Sequence, residues 1–178
     1  MASRTDTING FEASKLLSDE DVSKFLAILP GWHISNPPVR SICYVNEVKY
    51  ERHNNRRRGK EQILGQCQID EEQGVGDITL YRQQEDGNNL LEDFKSSILH
   101  EIAHAVFITL PVGAKMEWYG LCVKGPFIAW NEAGRDPLEH FCDTYSYFQS
   151  AREFVQKVLP REFAFMVDRV FVEVNRNA

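Results

Sequence analysis

The spacing of apolar positions changes along the chain, and each change marks an element. Over residues 90–110, Leu91, Phe94, Ile98, Ile102 and Val106 recur at intervals of three and four, which predicts one long amphipathic helix ended by Pro111 and Gly113. Upstream, Ser18-Asp19-Glu20-Asp21 has the pattern of a capping box. Val22, Phe25, Leu26 and Leu29 follow it at helical spacing as far as Pro30-Gly31, so a helix covering one side of a sheet is expected there. Strand signals fall at 41–51, 62–70 and 77–82, the last two joined across EEQGVG, so the middle of the chain reads as antiparallel β with 52–60 as a loop. Residues 116–124 read as a further strand or extended piece. Helices are expected at about 138–154 and 161–174, with Pro137 and Pro160 in their starting turns.

Neither a repeat nor a linker interrupts this order, so one α+β domain is expected over 1–178, with an N-terminal helix and strands in 1–75 and the chemistry in 76–178. A composition of 43% hydrophobic and 26% charged residues supports a packed core and excludes a wholly disordered chain. No apolar run approaches the roughly 18–20 residues of a membrane helix. The opening MASRTDTING lacks the apolar stretch of a secretory signal, so a cytoplasmic location is expected. The four cysteines show no CxxC spacing and read as buried free thiols, a Cys43–Cys67 bridge being the alternative.

The net charge is −6, yet residues 49–61 hold six basic side chains against Glu51 and Glu61. This local excess reads as a solvated hairpin tip. With an acidic remainder and no nucleic-acid module pattern, no nucleic-acid partner is expected.

The chemistry lies in His100-Glu101-Ile102-Ala103-His104, an H-E-x-x-H motif inside the long predicted helix. Residues four apart stand one turn above each other, so both imidazoles can reach one zinc ion. Glu101, one position round, can serve as general base toward a water activated by the metal. A catalytic zinc needs a third protein ligand, and the candidates lie in Asp136-Pro137-Leu138-Glu139-His140-Phe141-Cys142-Asp143. Glu139 and Asp143 are again four apart and share a helix face. Crossing the two helices makes Glu139 the ligand and Asp143 the group that fixes a histidine tautomer, with His140 and Asp143 as substitutes for Glu139.

On these residues the chain resembles the gluzincin zinc metallopeptidases, and within them the group formed by the anthrax lethal factor protease domain and the Pro-Pro endopeptidases. The matching stretches are GDITLYR (76–82), SSILHEIAHAV (96–106), DPLEHFCDTYSYF (136–148) and LPREFAFMVDRVF (159–171). The resemblance implies a zincin-like fold with a small mixed or antiparallel sheet beside an active-site helix. It also implies one zinc ion and a peptide or protein substrate laid as an extended strand on a sheet edge, for which 77–82 is the candidate. The resembled family carries a tyrosine seven positions before its glutamate ligand, and Glu132 stands there in this chain. Tyr119 and Trp130 are the candidate replacements as oxyanion donors. A peptide deformylase is excluded because its cysteine-ligand motif is missing around Cys67, and a metzincin because Leu110 stands where its third histidine belongs. The function expected is therefore a zinc-dependent metalloendopeptidase, the alternative being a zinc-binding interaction module on an inactive protease scaffold.

Overall fold

Alternation and burial sort the β residues into two groups. The computed structural model describes residues 8–34, 38–52, 60–84, 90–126 and 136–172. Six strands occur among these residues: β1 (Ile8–Asn9), β2 (Val39–Val45), β3 (Lys49–Arg52), β4 (Lys60–Ile63), β5 (Gly65–Asp70) and β6 (Val75–Tyr81). Four of them form a mixed sheet in the order β1-β2-β6-β5, and β3 and β4 form a separate antiparallel ribbon. β1, β2 and β6 run parallel, with Ile42 opposite Ile78, while β5 returns antiparallel to β6, placing Cys67 opposite Ile78.

Two expectations are corrected here. The stretch read as one strand over 41–51 divides, and its second part leaves the sheet to pair in the ribbon, so β2 and β6 become parallel neighbours in place of an antiparallel meander. Of residues 77–82, read as an edge strand, 77–81 lie in the interior strand β6: Val75, Gly76, Ile78 and Leu80 are buried, and strands flank both sides. The edge is β5. The basic tip over 53–59 lies outside the described residues.

The helices are α1 (Asp19–Leu26), α2 (Gly31–Ile34), α3 (Leu90–Thr109), α4 (Val112–Lys124), α5 (Pro137–Ser150), α6 (Arg152–Val158) and α7 (Pro160–Phe165), the last running into a π-helical turn at Met166–Val170. The capping box of α1 forms as read: Ser18 accepts from the Asp21 amide while the Asp21 carboxylate accepts from that of Ser18. α3 buries residues on more than one face because it lies between the sheet and α5. Phe94, Ile98, Ile102 and Val106 join Ile42, Ile78 and Leu80 in one core. The helix expected over 138–154 breaks at Ala151, a single non-helical residue that separates α5 from α6.

Residues 116–124 are helical, contrary to the strand expected. Trp118, Tyr119 and Val123 gave that stretch a β-like composition, but tertiary burial decides its state. Trp118 is fully buried, stacks on His140 with ring centroids 5.3 Å apart, and donates its Nε1–H to the Pro137 carbonyl at 2.7 Å. It thereby ties α4 to the first turn of α5. Trp118→Phe should remove that donor and leave a small cavity, at a cost of about 2 kcal/mol. Urea unfolding should show a lower midpoint with an unchanged slope.

Candidate metal centre

α3 and α5 pack antiparallel, and their facing residues pair turn for turn. At one end the Ser96 and Ser146 hydroxyls meet at 2.8 Å, and at the other the Phe107 and Phe141 rings pack edge to face at 4.9 Å. Between these contacts His100 faces Asp143 and Glu139, and His104 faces Glu139. The distances are 3.0 Å from His100 Nδ1 to Asp143 Oδ1, 3.1 Å from His100 Nε2 to Glu139 Oε2, and 3.6 Å from His104 Nε2 to Glu139 Oε1. The start of α5 is set by Asp136, whose carboxylate accepts from the amides of Leu138 and Glu139.

The cleft above these groups has a volume of about 650 Å³. α3 forms one wall, and residues 62–67, the end of β4 and the start of edge strand β5, form the other. Glu101 belongs to the same cleft and is 7% exposed. A Cβ on Gly65 would stand 2.6 Å from Glu101 Cγ and 2.7 Å from Oε1. The missing side chain at Gly65 is therefore what lets the carboxylate lie against the edge strand.

Burial governs the ionisation of the cluster. It alone would push His100 down, but the hydrogen bonds to Asp143 and Glu139 and the nearby negative charges outweigh it, raising the imidazole to about 10. Without a metal His100 is thus a cation at neutral pH, donating from both ring nitrogens. His104 is lowered, by burial first and then by the charge on His100. Glu139 is held below the usual carboxylate range, first by its hydrogen bond from His100. Glu101 is pushed up to about 7 by burial, reinforced by Glu139 and opposed by the charge on His100 and the Cys67 backbone amide.

Ligand atoms of His100, His104 and Cys142 all lie within 4.8 Å of one another, a group able to hold one metal ion. Cys142 was missed in the sequence, although it stands three residues after Glu139 on the helix face that meets α3. Its thiol is fully buried and held well above its usual pKa, by burial first and then by the surrounding carboxylates. The other candidates separate. His140 is buried against Trp118, and burial lowers it to about 4. Tyr119 sits on α4 with its ring 5.9 Å from that of Phe107 and does not line the cleft. Trp130 and Glu132 lie outside the described residues. Gly65 and the wall at 62–67 carried no motif in the sequence. Their role comes from strand pairing that brings them opposite α3.

These features define an α+β protein with a His/His/Cys group of the dimensions of a single-ion metal site. The chain matches no protein-family model, no curated protein and no solved structure. All four cysteines are free thiols, and no helix among the described residues is long and apolar enough to cross a membrane.

The raised His100 value fixes a pH dependence for the metal-free protein. Its pKa is about 10 when folded against 6.5 as a free side chain, so its stabilising contribution is complete below pH 6.5 and is lost as pH rises through 10. After chelation the thermal midpoint should fall between pH 7 and 10, by an amount on the order of a few kcal/mol of stability. His100→Gln should flatten that slope.

Proposed function

We propose that the protein is a zinc-dependent endopeptidase in which His100, His104 and Glu139 hold the metal, Asp143 orients His100 and Glu101 is the general base. The observation carrying this reading is the Glu139 carboxylate, whose oxygens stand 3.1 and 3.6 Å from the Nε2 atoms of the two histidines. Two donors about 2.0–2.2 Å from a tetrahedral zinc stand about 3.3–3.5 Å apart. The two separations, each to a different oxygen of the carboxylate, bracket that value, which supports Glu139 as the donor beside the two histidines. Glu139 is also preferred over Cys142 on chemistry. Its carboxylate is already ionised, whereas the buried thiol must first lose a proton that its surroundings retain.

Zinc, when bound, supplies the Lewis acidity that makes a water nucleophilic at neutral pH. The remaining work belongs to the chain. Glu101, poised near neutrality, takes a proton from the attacking water as its oxygen adds to the scissile carbonyl carbon. It returns that proton to the amine as the C–N bond breaks. Asp143 holds Nδ1 of His100, leaving Nε2 to face the metal position. The outer edge of β5 carries no strand among the described residues, so its backbone can pair with an extended peptide and lay the scissile bond along the cleft. The proposed chemistry is that of the zincin-like gluzincins, on the motif and the facing carboxylates alone.

Zinc-loaded protein should cleave members of a diverse peptide library, read by mass spectrometry, and Glu101→Gln should lower kcat/KM by about 10²–10⁴-fold while still binding one zinc. Absence of cleavage by zinc-loaded wild type would overturn the peptidase reading in favour of a zinc-binding interaction module. Gly65→Ala, which pushes on the Glu101 carboxylate without touching the donors, should retain zinc and lose about 10- to 100-fold in kcat/KM.

A further inference from the structure

A second cavity, of about 400 Å³, lies at the other end of the sheet machinery and shares no lining residue with the metal cleft. Its position follows from topology. The three mutually parallel strands β1, β2 and β6 all point their carboxyl ends toward it. The walls come from residues 13–16 just beyond β1, from Asn46 and Val48 beyond β2, and from 82–84 beyond β6. The crevice outside the carboxyl ends of adjacent parallel strands is where sheets of this kind bind ligands, because the chain must turn away there and leaves side chains converging on a gap.

The lining is divided by chemistry. Leu16, Leu90 and Phe94 present an apolar side, and Phe94 is itself packed in the core against Phe11 and Tyr44. Lys15 and Arg82 present two cations. Among the described residues neither takes part in an ion pair, on a protein whose net charge is −6. The Tyr44 hydroxyl is close enough to feel the charge of Arg82, and its bond to Asn46 is long, at 3.4 Å. Gln83 lines the same cavity through its other atoms, its Nε2 being buried with no acceptor among the described residues. Lys15 is the single non-glycine residue with positive φ among the described residues, at φ 59°. Glycine is the residue that suits such a backbone, and the chain places a cation there instead.

We propose that this cavity binds a small phosphomonoester, its dianionic head between Lys15 and Arg82 and its apolar body against Leu16 and Phe94. Two cations with no ion pair among the described residues match a double charge, and the Tyr44 hydroxyl can turn from its long bond to Asn46 toward a phosphate oxygen. The apolar side selects an organic phosphate over inorganic phosphate. This site stands whether or not the metal centre is a peptidase.

Phenyl phosphate, phenylacetate, inorganic phosphate and phenol, each titrated separately into the zinc-loaded full chain cleared of free zinc, provide the test by ¹⁵N-resolved amide shifts. Phenyl phosphate should perturb the amides of Lys15, Asn46, Arg82 and Gln83 and saturate with a Kd of about 1 mM or tighter, with phenylacetate and inorganic phosphate each weaker and phenol silent. Lys15→Gln and Arg82→Gln, at exposed side chains, should each weaken phenyl phosphate about tenfold with unchanged thermal midpoints, and Arg82→Lys should restore part of the affinity. Shifts confined to Gly65, Ser97 and Glu101 would place the phosphate in the metal cleft and overturn the proposal. So would phenylacetate binding as tightly as phenyl phosphate, phenol binding the same residues, or affinity indifferent to both substitutions.

Discussion

The antiparallel register of α3 against α5 is the constraint on which the rest of the molecule turns. Two histidines one turn apart meet two carboxylates one turn apart, and the pairing closes because both helices repeat at the same interval. Burying four titratable groups together is costly unless each finds an opposite charge or a hydrogen bond. Sliding one helix by a turn would leave at least one of them unpaired, so the electrostatics that tune the site also fix the packing. The small Ser96 and Ser146 at one end and the Phe107–Phe141 contact at the other hold that register from outside the charged zone.

Second to this comes the edge strand. β5 closes the cleft from the opposite side, and it can approach α3 because residue 65 has no side chain. The same close approach buries Glu101 and raises its pKa toward neutrality, so one missing methyl group sets both the shape of the wall and the basicity of the group behind it. α4 contributes from the far side. Trp118 reaches across to Pro137, where Asp136 caps α5, and so secures the helix turn that carries Glu139.

α3 also links the two cavities. Phe94, near its start, lines the crevice at the ends of the parallel strands, and His100 and His104, further along, line the metal cleft. One rigid helix, buried between sheet and α5, therefore serves two sites of different chemistry: one with donors for a cation, the other with cations for an anion. Neither depends on loop conformations alone, since sheet topology places the walls of both.

Much of this was legible in the chain before folding. The H-E-x-x-H spacing, the Glu139 and Asp143 pair, the capping box of α1 and the long amphipathic period of α3 are local patterns, and local geometry is enough to say which side chains share a face. What could not be read were relations between segments distant in the chain. Strand direction was misjudged because alternation reports which face is buried and says nothing about which neighbour pairs. α4 was misjudged because Trp118, Tyr119 and Val123 have a β-like local preference, and the burial of Trp118 overrides it. Cys142 and Gly65 carry no pattern of their own. Both became part of the site when packing set α5 against α3 and β5 against Glu101. The sequence by itself determined the donor types and their helical spacing, since these follow from covalent order and the 3.6-residue turn. Tertiary structure alone decided which donors meet, how deeply they are buried and therefore which protons they hold, since distance and desolvation exist only once the elements have packed.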